Sequence, residues 1–163
     1  ENTFDTIIMN DFMEHASQPQ NVLLECYRVL KPGGMLYVNS PPYYHPYGAH
    51  LSDLIGVPWV HVFFDEQTLI NVYKDLAKGL PDAEDRIKLR FSVDNTGKPY
   101  ISYINKMTIK KFRQWIKSSP FRCVYYKEVP LRKSLSFLAK WSLTKEYFVK
   151  MLVAVLNKPI EKT

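Results

Sequence analysis

The sequence contains no apolar run that approaches the ~20 residues needed to cross a membrane as a helix, and we expect no signal peptide. It has only two cysteines, Cys26 and Cys123, in 163 residues. We predict that both are buried free thiols, which suits a reducing cytoplasm. These scarcities argue against a membrane span and a disulfide-dense scaffold, and we expect a cytoplasmic protein with one domain.

The charge is unevenly distributed along the chain. Residues 1–81 hold four Lys and Arg against nine Asp and Glu, a net charge of −5, whereas the remainder holds eighteen against seven, a net of +11. A basic half can attract nucleic acid, anionic lipid or a phosphorylated substrate. The basic residues form pairs within periodic segments rather than one tract, which favours a solvated surface. We therefore do not expect nucleic acid as the partner.

Residues 4–44 predict a strand, a helix, a glycine turn and a second strand. An apolar run at 3–9 is flanked by acids, the pattern of a strand buried on both faces. Ser17 is a candidate N-cap for the helix, and the Lys-Pro-Gly-Gly run at 31–34 would end it. Residues 35–38 form the second strand. Because a strand–helix–strand crossover of this length joins parallel strands, the sequence predicts an α/β fold.

The middle of the chain leaves this pattern. Residues 43–64 are rich in aromatic residues, histidine and proline without clean periodicity, which predicts an irregular insertion. Asp65 is a candidate cap for a helix ending near residue 78. Alternating apolar residues at 86–93 and a turn signal at 94–97 predict a β-hairpin. Insertions at the carboxyl ends of parallel strands lie where α/β enzymes bind ligands, so this one is a candidate lid or pocket wall.

The C-terminal third returns to regular periodicity. Thr108 is a candidate cap for the next helix, residues 121–129 predict a strand, and residues 134–143 predict a helix whose Trp141 faces inward. The run at 148–156 fits either a helix or a strand.

Three motifs together resemble a known family. The strand FDTII at 4–8, the pair Glu14-His15 and the helix end RVLKPGG at 28–34 are similar to the second half of class I S-adenosylmethionine-dependent methyltransferases, in particular the small-molecule group. The resemblance implies a partial Rossmann-like sheet with the family's strands in the order 4, 5, 7, 6 and helices on its faces. It favours an antiparallel strand at 148–156, and it makes 43–105 an inserted lid with a β-hairpin.

In that family the cofactor site begins with a glycine-rich loop after strand 1 and an acidic residue after strand 2. The six glycines of this sequence include no Gly-x-Gly. The resemblance therefore implies that residues 1–163 are the C-terminal part of a methyltransferase domain, which we expect to be inactive alone. The uncovered edge at 3–9 should pair with another chain or with a preceding segment, because a long apolar edge is a liability.

The resemblance also implies site residues for S-adenosylmethionine. The turn after the first strand, Asn10, Asp11 and Phe12, should pack along the cofactor's methionine portion. Histidine can act as a general base near neutral pH, so the candidate catalytic residues are His15, His50 and His61. A structural role for the Glu14-His15 pair is the alternative. The candidate walls of an acceptor pocket are the aromatic and histidine side chains Tyr43, Tyr44, His45, Tyr47 and Trp59.

A metal site is not expected, because the spacings of 5 and 11 between His45, His50 and His61 match no ligand motif and the cysteines are remote. The function that the sequence favours is methyl transfer to a small molecule. Two alternatives stay open: an RNA or protein methyltransferase that grips its substrate with the basic C-terminal half, and a non-catalytic assembly module that keeps the fold.

Overall fold

The two strands predicted at the N-terminus form a parallel pair. The structure, a computed structural model, describes residues 1–160. Strand β1 (Phe4–Asn10) pairs with β2 (Leu30–Ser40), and helix α1 (Pro19–Val29) makes the crossover between them. The register places Ile8 opposite Tyr37 and Asn10 opposite Asn39. This pairing confirms the predicted α/β unit.

Two later strands complete a four-stranded sheet. Strand β6 (Val149–Asn157) runs antiparallel between β2 and β5 (Arg122–Pro130), so the order is β1-β2-β6-β5. This is the order predicted for these four segments. Val149, Leu152 and Leu156 are fully buried in β6. Because both of its edges are paired, the extended backbone satisfies its hydrogen bonds there, and the ambiguous C-terminal run is a strand.

Helices cover this sheet and close its core. Helix α5 (Ile109–Ser118) begins at the predicted cap, where the Thr108 hydroxyl oxygen accepts the Lys111 backbone N–H at 3.1 Å. A 3₁₀ turn (Lys133–Leu135) and the short helices α6 (Ser136–Lys140) and α7 (Lys145–Phe148) lead into β6. The sheet core includes Met13, Leu23, Leu36, Met107, Phe112 and Leu152.

Residues 43–105 build a second hydrophobic cluster. It contains α2 (Val60–Phe63), α3 (Glu66–Ala77), α4 (Ala83–Arg90) and a small hairpin of β3 (Phe91–Val93) with β4 (Pro99–Ile101). Asp65 caps α3 as predicted, accepting the Thr68 N–H at 3.0 Å. The buried members of this cluster include Leu51, Ile70, Tyr73, Phe91, Ile101 and Ile104.

Several local predictions are wrong. The hairpin is shorter than predicted, because residues 86–90 belong to α4. Arg86 pairs with Asp82 four residues earlier, an interaction that supports a helix, and the apolar alternation there does not correspond to a buried strand face. Helix α1 begins at Pro19 rather than after a Ser17 cap. Trp141 and Cys123 are exposed rather than buried.

Strand β1 lies at an edge of the sheet. It pairs only with β2 among the described residues, and its Ile8 side chain is 67% exposed. The predicted pairing of this edge with another segment stays a prediction. No helix within residues 1–160 is both long enough and apolar enough to span a bilayer.

Candidate functional site

The carboxyl ends of β1 and β2 bring polar side chains together. The Asn39 Nδ2 donates to Asn10 Oδ1 at 2.9 Å, and the Asp11 N–H donates to the Asn39 carbonyl at 3.1 Å. Asp11 has a φ of 46°, a left-handed conformation that turns the chain sharply out of the strand. Because parallel strands end at the same edge of a sheet, this turn lies where α/β folds bind ligands.

Glu14 is a buried carboxylate just beyond this turn. Its residue is 3% exposed. The Ser40 hydroxyl donates to Oε2, whereas Oε1 is buried without a hydrogen-bond partner. Burial raises the pKa of Glu14, opposed by the hydrogen bond from Ser40. A carboxylate with one satisfied and one unsatisfied oxygen is poised to accept a proton or a cation.

A distant asparagine holds the Glu14 loop in place. Asn105 Nδ2 donates to the carbonyls of Met13 at 2.6 Å and Ala16 at 2.7 Å, and its backbone N–H donates to the Glu14 carbonyl at 2.7 Å. Three bonds from one residue fix the loop, so the position of Glu14 depends on the end of the 43–105 segment.

Two histidines meet beside Glu14. His15 Nδ1 lies 2.7 Å from the Tyr103 carbonyl oxygen. Because a carbonyl only accepts, Nδ1 carries a proton, and the other ring nitrogen, Nε2, lies 3.9 Å from Glu14 Oε1. The His15 and His50 rings are 4.9 Å apart, edge to face. Burial lowers the pKa of His50 to about 4, and the nearby His15 adds to the effect.

An ion-pair network anchors the segment that carries His50. One oxygen of Asp53, Oδ2, receives hydrogen bonds from Tyr73 Oη at 2.8 Å and Arg86 Nη1 at 2.7 Å, and it forms an ion pair with Arg90 Nη2 at 2.9 Å. Arg90 Nε also donates to the His50 carbonyl at 3.3 Å. The network therefore ties the His50 loop to α3 and α4. His50 itself has a φ of 55°, so its backbone depends on this support.

These groups border a cleft of about 570 Å³ between the sheet and the second cluster. Its size suits a small molecule. The lining includes charged, imidazole and aromatic side chains, among them Asp11, Glu14, His45, Tyr47, His50 and Tyr103. Burial lowers the pKa of His45 to about 4, with the charge of His61 contributing.

The structure brings only part of the predicted site to this cleft. Asp11, His45, Tyr47 and His50 line it, and His15 adjoins it through His50. Asn10 is joined to the same strand ends through Asn39. Phe12 is exposed and lines a second cleft beside α1.

The remaining predicted residues pack away from His50. Tyr43 and Tyr44 contact the His61 ring, with centroid distances of 4.8 and 6.5 Å. Both ring nitrogens of His61 are buried and lack a hydrogen-bond partner, and burial lowers its pKa. The Trp59 ring lies 6.0 Å from Phe148.

Sequence reasoning missed the residues that position this site. Ser40 ends β2 beside β1, a location that strand adjacency alone could have indicated. The sequence gives no local signal for four further residues that position the site: Asp53, Arg90, Tyr103 and Asn105. Each of them forms a hydrogen bond with a residue more than thirty positions away in the chain.

Comparison with known proteins bears on the same strands. Residues 1–38 match the methyltransferase domain family. The match covers β1, α1 and most of β2, and it confirms the predicted resemblance to S-adenosylmethionine-dependent methyltransferases over these residues. No curated protein matches the chain.

Solved methyltransferase structures are also similar to the chain. An S-adenosylmethionine-dependent methyltransferase from Methanosarcina mazei is 15% identical, with a TM-score of 0.47, and the match covers 98% of this chain and 61% of that one. One from Mesorhizobium loti is 9% identical, with a TM-score of 0.47 and coverages of 96% and 63%. The chain thus spans less than two thirds of the length of these structures.

Proposed function

We propose that this protein transfers a methyl group from S-adenosylmethionine to a small-molecule acceptor. In this proposal residues 1–163 form the C-terminal part of the methyltransferase domain, and residues 43–105 are a lid inserted after β2. The observation that carries the proposal is the family match at residues 1–38, whose two strands end at the cleft that holds Glu14 and His50.

The turn after β1 is the proposed contact for the cofactor. Asn10 and Asp11 present exposed polar groups, and the exposed Phe12 ring presents an apolar surface next to them. Such a surface fits a ligand that joins a sulfonium to a polar amino-acid tail. S-adenosylmethionine, when bound, supplies an electrophilic methyl group on sulfur. The chain's task is to hold donor and acceptor close and in line.

The cleft between the sheet and the second cluster is the proposed acceptor pocket. Its volume suits a small molecule better than a polymer, and His45 and Tyr47 form part of its wall. In this proposal Tyr43, Tyr44 and Trp59 support the wall from behind. His15, His50 and His61 are the candidate proton acceptors for an acceptor nucleophile, and His15 and His50 have the more favourable placement because they meet beside the cleft.

The test is methyl transfer by the full-length protein. Radiolabelled S-adenosylmethionine would be incubated with a panel of small amines, phenols and carboxylic acids, and with total RNA and protein as competing acceptors. We expect label in a small molecule and in neither polymer. Label in RNA or protein, or tight RNA binding that weakens steeply with salt, would contradict the small-molecule proposal.

Two variants locate the pocket. Tyr47→Ala should raise the KM for the small acceptor, because Tyr47 lines the cleft. Tyr100→Ala is the matched control, because Tyr100 is an exposed tyrosine on the small hairpin and does not line that cleft. Equal effects of the two substitutions on KM would contradict the proposal that the acceptor binds in this cleft.

A further inference from the structure

Three potential ligand side chains converge where the sequence predicted no metal. Glu14, His15 and His50 each offer one potential ligand atom, a carboxylate oxygen or a ring nitrogen, and these three atoms all lie within 4.8 Å of one another. Sequence reasoning considered only His45, His50 and His61, whose spacings fit no metal motif. The fold instead joins His50 to a Glu-His pair thirty-five positions earlier. We propose that Glu14, His15 and His50 bind a divalent transition-metal cation, with Zn²⁺ as the reference ion.

The donor set suits such an ion. Two imidazole nitrogens and one carboxylate oxygen are ligands that Zn²⁺ takes in sites with an open fourth position. Ligand atoms about 2.0–2.2 Å from a tetrahedral ion lie roughly 3.4 Å apart. Glu14 Oε1 and His15 Nε2 are 3.9 Å apart. Since all three donors lie within 4.8 Å of one another, each pair must approach by at most about 1.4 Å to reach the separation of ligands around a tetrahedral ion.

The unsatisfied oxygen of Glu14 points to a missing ligand. Glu14 is more than nine-tenths buried, and Oε1 has no hydrogen-bond partner although Oε2 accepts from Ser40. A buried carboxylate oxygen without a partner is costly, and a bound cation would satisfy it. This observation is independent of the geometric convergence, because it concerns the environment of one atom.

The surrounding contacts orient one of the histidines as a ligand. The Tyr103 carbonyl accepts the His15 Nδ1 proton at 2.7 Å, so Nε2 is the nitrogen that remains to bind an ion on the side of Glu14. A hydrogen bond of this kind at the far nitrogen is usual for metal-binding histidines and fixes the ring orientation. The guanidinium of Arg90, which lines the same cleft, is paired with Asp53 at 2.9 Å, and this pairing offsets its repulsion of a cation.

The site would open toward the cleft. Glu14 and His50 both line it, so the fourth position of a bound ion would be accessible to water or to an oxygen or nitrogen atom of a small ligand. An ion bound through the lone pairs of His15 and His50 would replace their role as proton acceptors in the proposed function, whereas metal binding itself does not rest on that function. The two can therefore fail separately.

The test is direct metal binding by the untagged full-length protein without cofactor or acceptor. Isothermal titration with Zn²⁺, and optical titration with Co²⁺ as the spectroscopic probe of nitrogen ligation, would give stoichiometry and Kd. We expect one ion per chain. Glu14→Gln and His50→Asn should each weaken binding at least ~10-fold, since each removes one of three ligands. Asparagine suits position 50 because it tolerates the left-handed backbone.

His61→Asn is the matched control, because it removes a buried histidine that lies outside the triad. It should leave the Kd unchanged. Circular dichroism checks that each variant is folded, and His15→Asn provides a third ligand variant if one of the others does not fold. Absence of stoichiometric binding to the native protein, or equal affinity in the native protein and the folded ligand variants, would overturn the proposal.

Discussion

Replacement of Asp53 by alanine should destabilise the second cluster more than any exposed charge substitution. The carboxylate is 27% exposed and receives three donors on one oxygen, and its partner Arg90 is only 13% exposed. Removal of one partner of a fully buried ion pair costs about 3–5 kcal/mol, mainly because the other charge is left unpaired. Partial exposure of Asp53 and Arg86 reduces this, and we expect a loss of about 2–3 kcal/mol.

The measurement is the free energy of unfolding in urea, with thermal unfolding as a second readout. A loss of 2–3 kcal/mol corresponds to a decrease in Tm of roughly 5–10 °C for a chain of this size. Asp53→Asn should cost about half as much, because an amide oxygen still accepts the hydrogen bonds without the charge. The matched control is Asp75→Ala, which removes an exposed pair with Lys78 and should change the free energy by less than ~0.5 kcal/mol.

A local readout separates this mechanism from general destabilisation. Arg90 donates to the His50 carbonyl, so loss of Asp53 should free that loop. Amide hydrogen exchange at residues 50–55 should accelerate in Asp53→Ala under conditions where the sheet core stays protected. If Asp53→Ala and Asp75→Ala have equal unfolding free energies, the network does not hold the His50 loop and the reasoning is refuted.

Three further predictions concern stability. The alanine Cβ in Gly48→Ala would overlap the Tyr43 carbonyl oxygen, so the backbone must move, and we expect the free energy of unfolding in urea to fall by about 2–3 kcal/mol. The control is Gly56→Ala, whose Cβ meets nothing within 4 Å and which should change that free energy by less than ~0.5 kcal/mol. Equal losses would contradict this reading. Thr108→Ala removes the α5 cap and should cost about 1 kcal/mol, restored in part by Thr108→Ser. Burial lowers the pKa of His61 below 6.5, so below about pH 6.5 the unfolded chain binds more protons than the folded chain and the free energy of unfolding decreases as the pH falls. His61→Gln should make this decrease smaller. An unchanged dependence of the unfolding free energy on pH would contradict the prediction.

Much of the sheet follows from local sequence. The apolar run of β1 and the glycine turn before residue 35 predict a parallel crossover because no shorter connection can join parallel strands. The caps at Asp65 and Thr108 are local too, since each hydroxyl or carboxylate bonds a backbone N–H three residues on. The polar turn at Asn10 and Asp11 lies at the end of β1, as predicted, because it directly follows the apolar run that forms this strand.

Hydrophobic periodicity gave a wrong prediction at residues 86–90, which are helical although their apolar residues alternate. The alternation at 86–93 predicts a strand, yet residues 86–90 are helical. Arg86 forms its ion pairs with Asp82, one helical turn back, and with Asp53, in another segment. The ion pair with Asp53 forms only when the chain folds back on itself, so a local pattern of apolar residues contains no information about it.

The sequence by itself determined the parallel pairing of β1 with β2, the caps at Asp65 and Thr108 and the polar turn after β1, because these depend on spacing within a few residues or on one crossover. The places of β5 and β6 in the sheet followed from the family resemblance and not from local spacing. Only the tertiary structure decided that His50 meets His15 and that one oxygen of Glu14 lies buried without a partner. The physical reason is that residues 43–59 form no helix or strand. Their path is set by contacts with distant residues such as Arg90, which donates to the His50 carbonyl and pairs with Asp53, rather than by any repeating local preference.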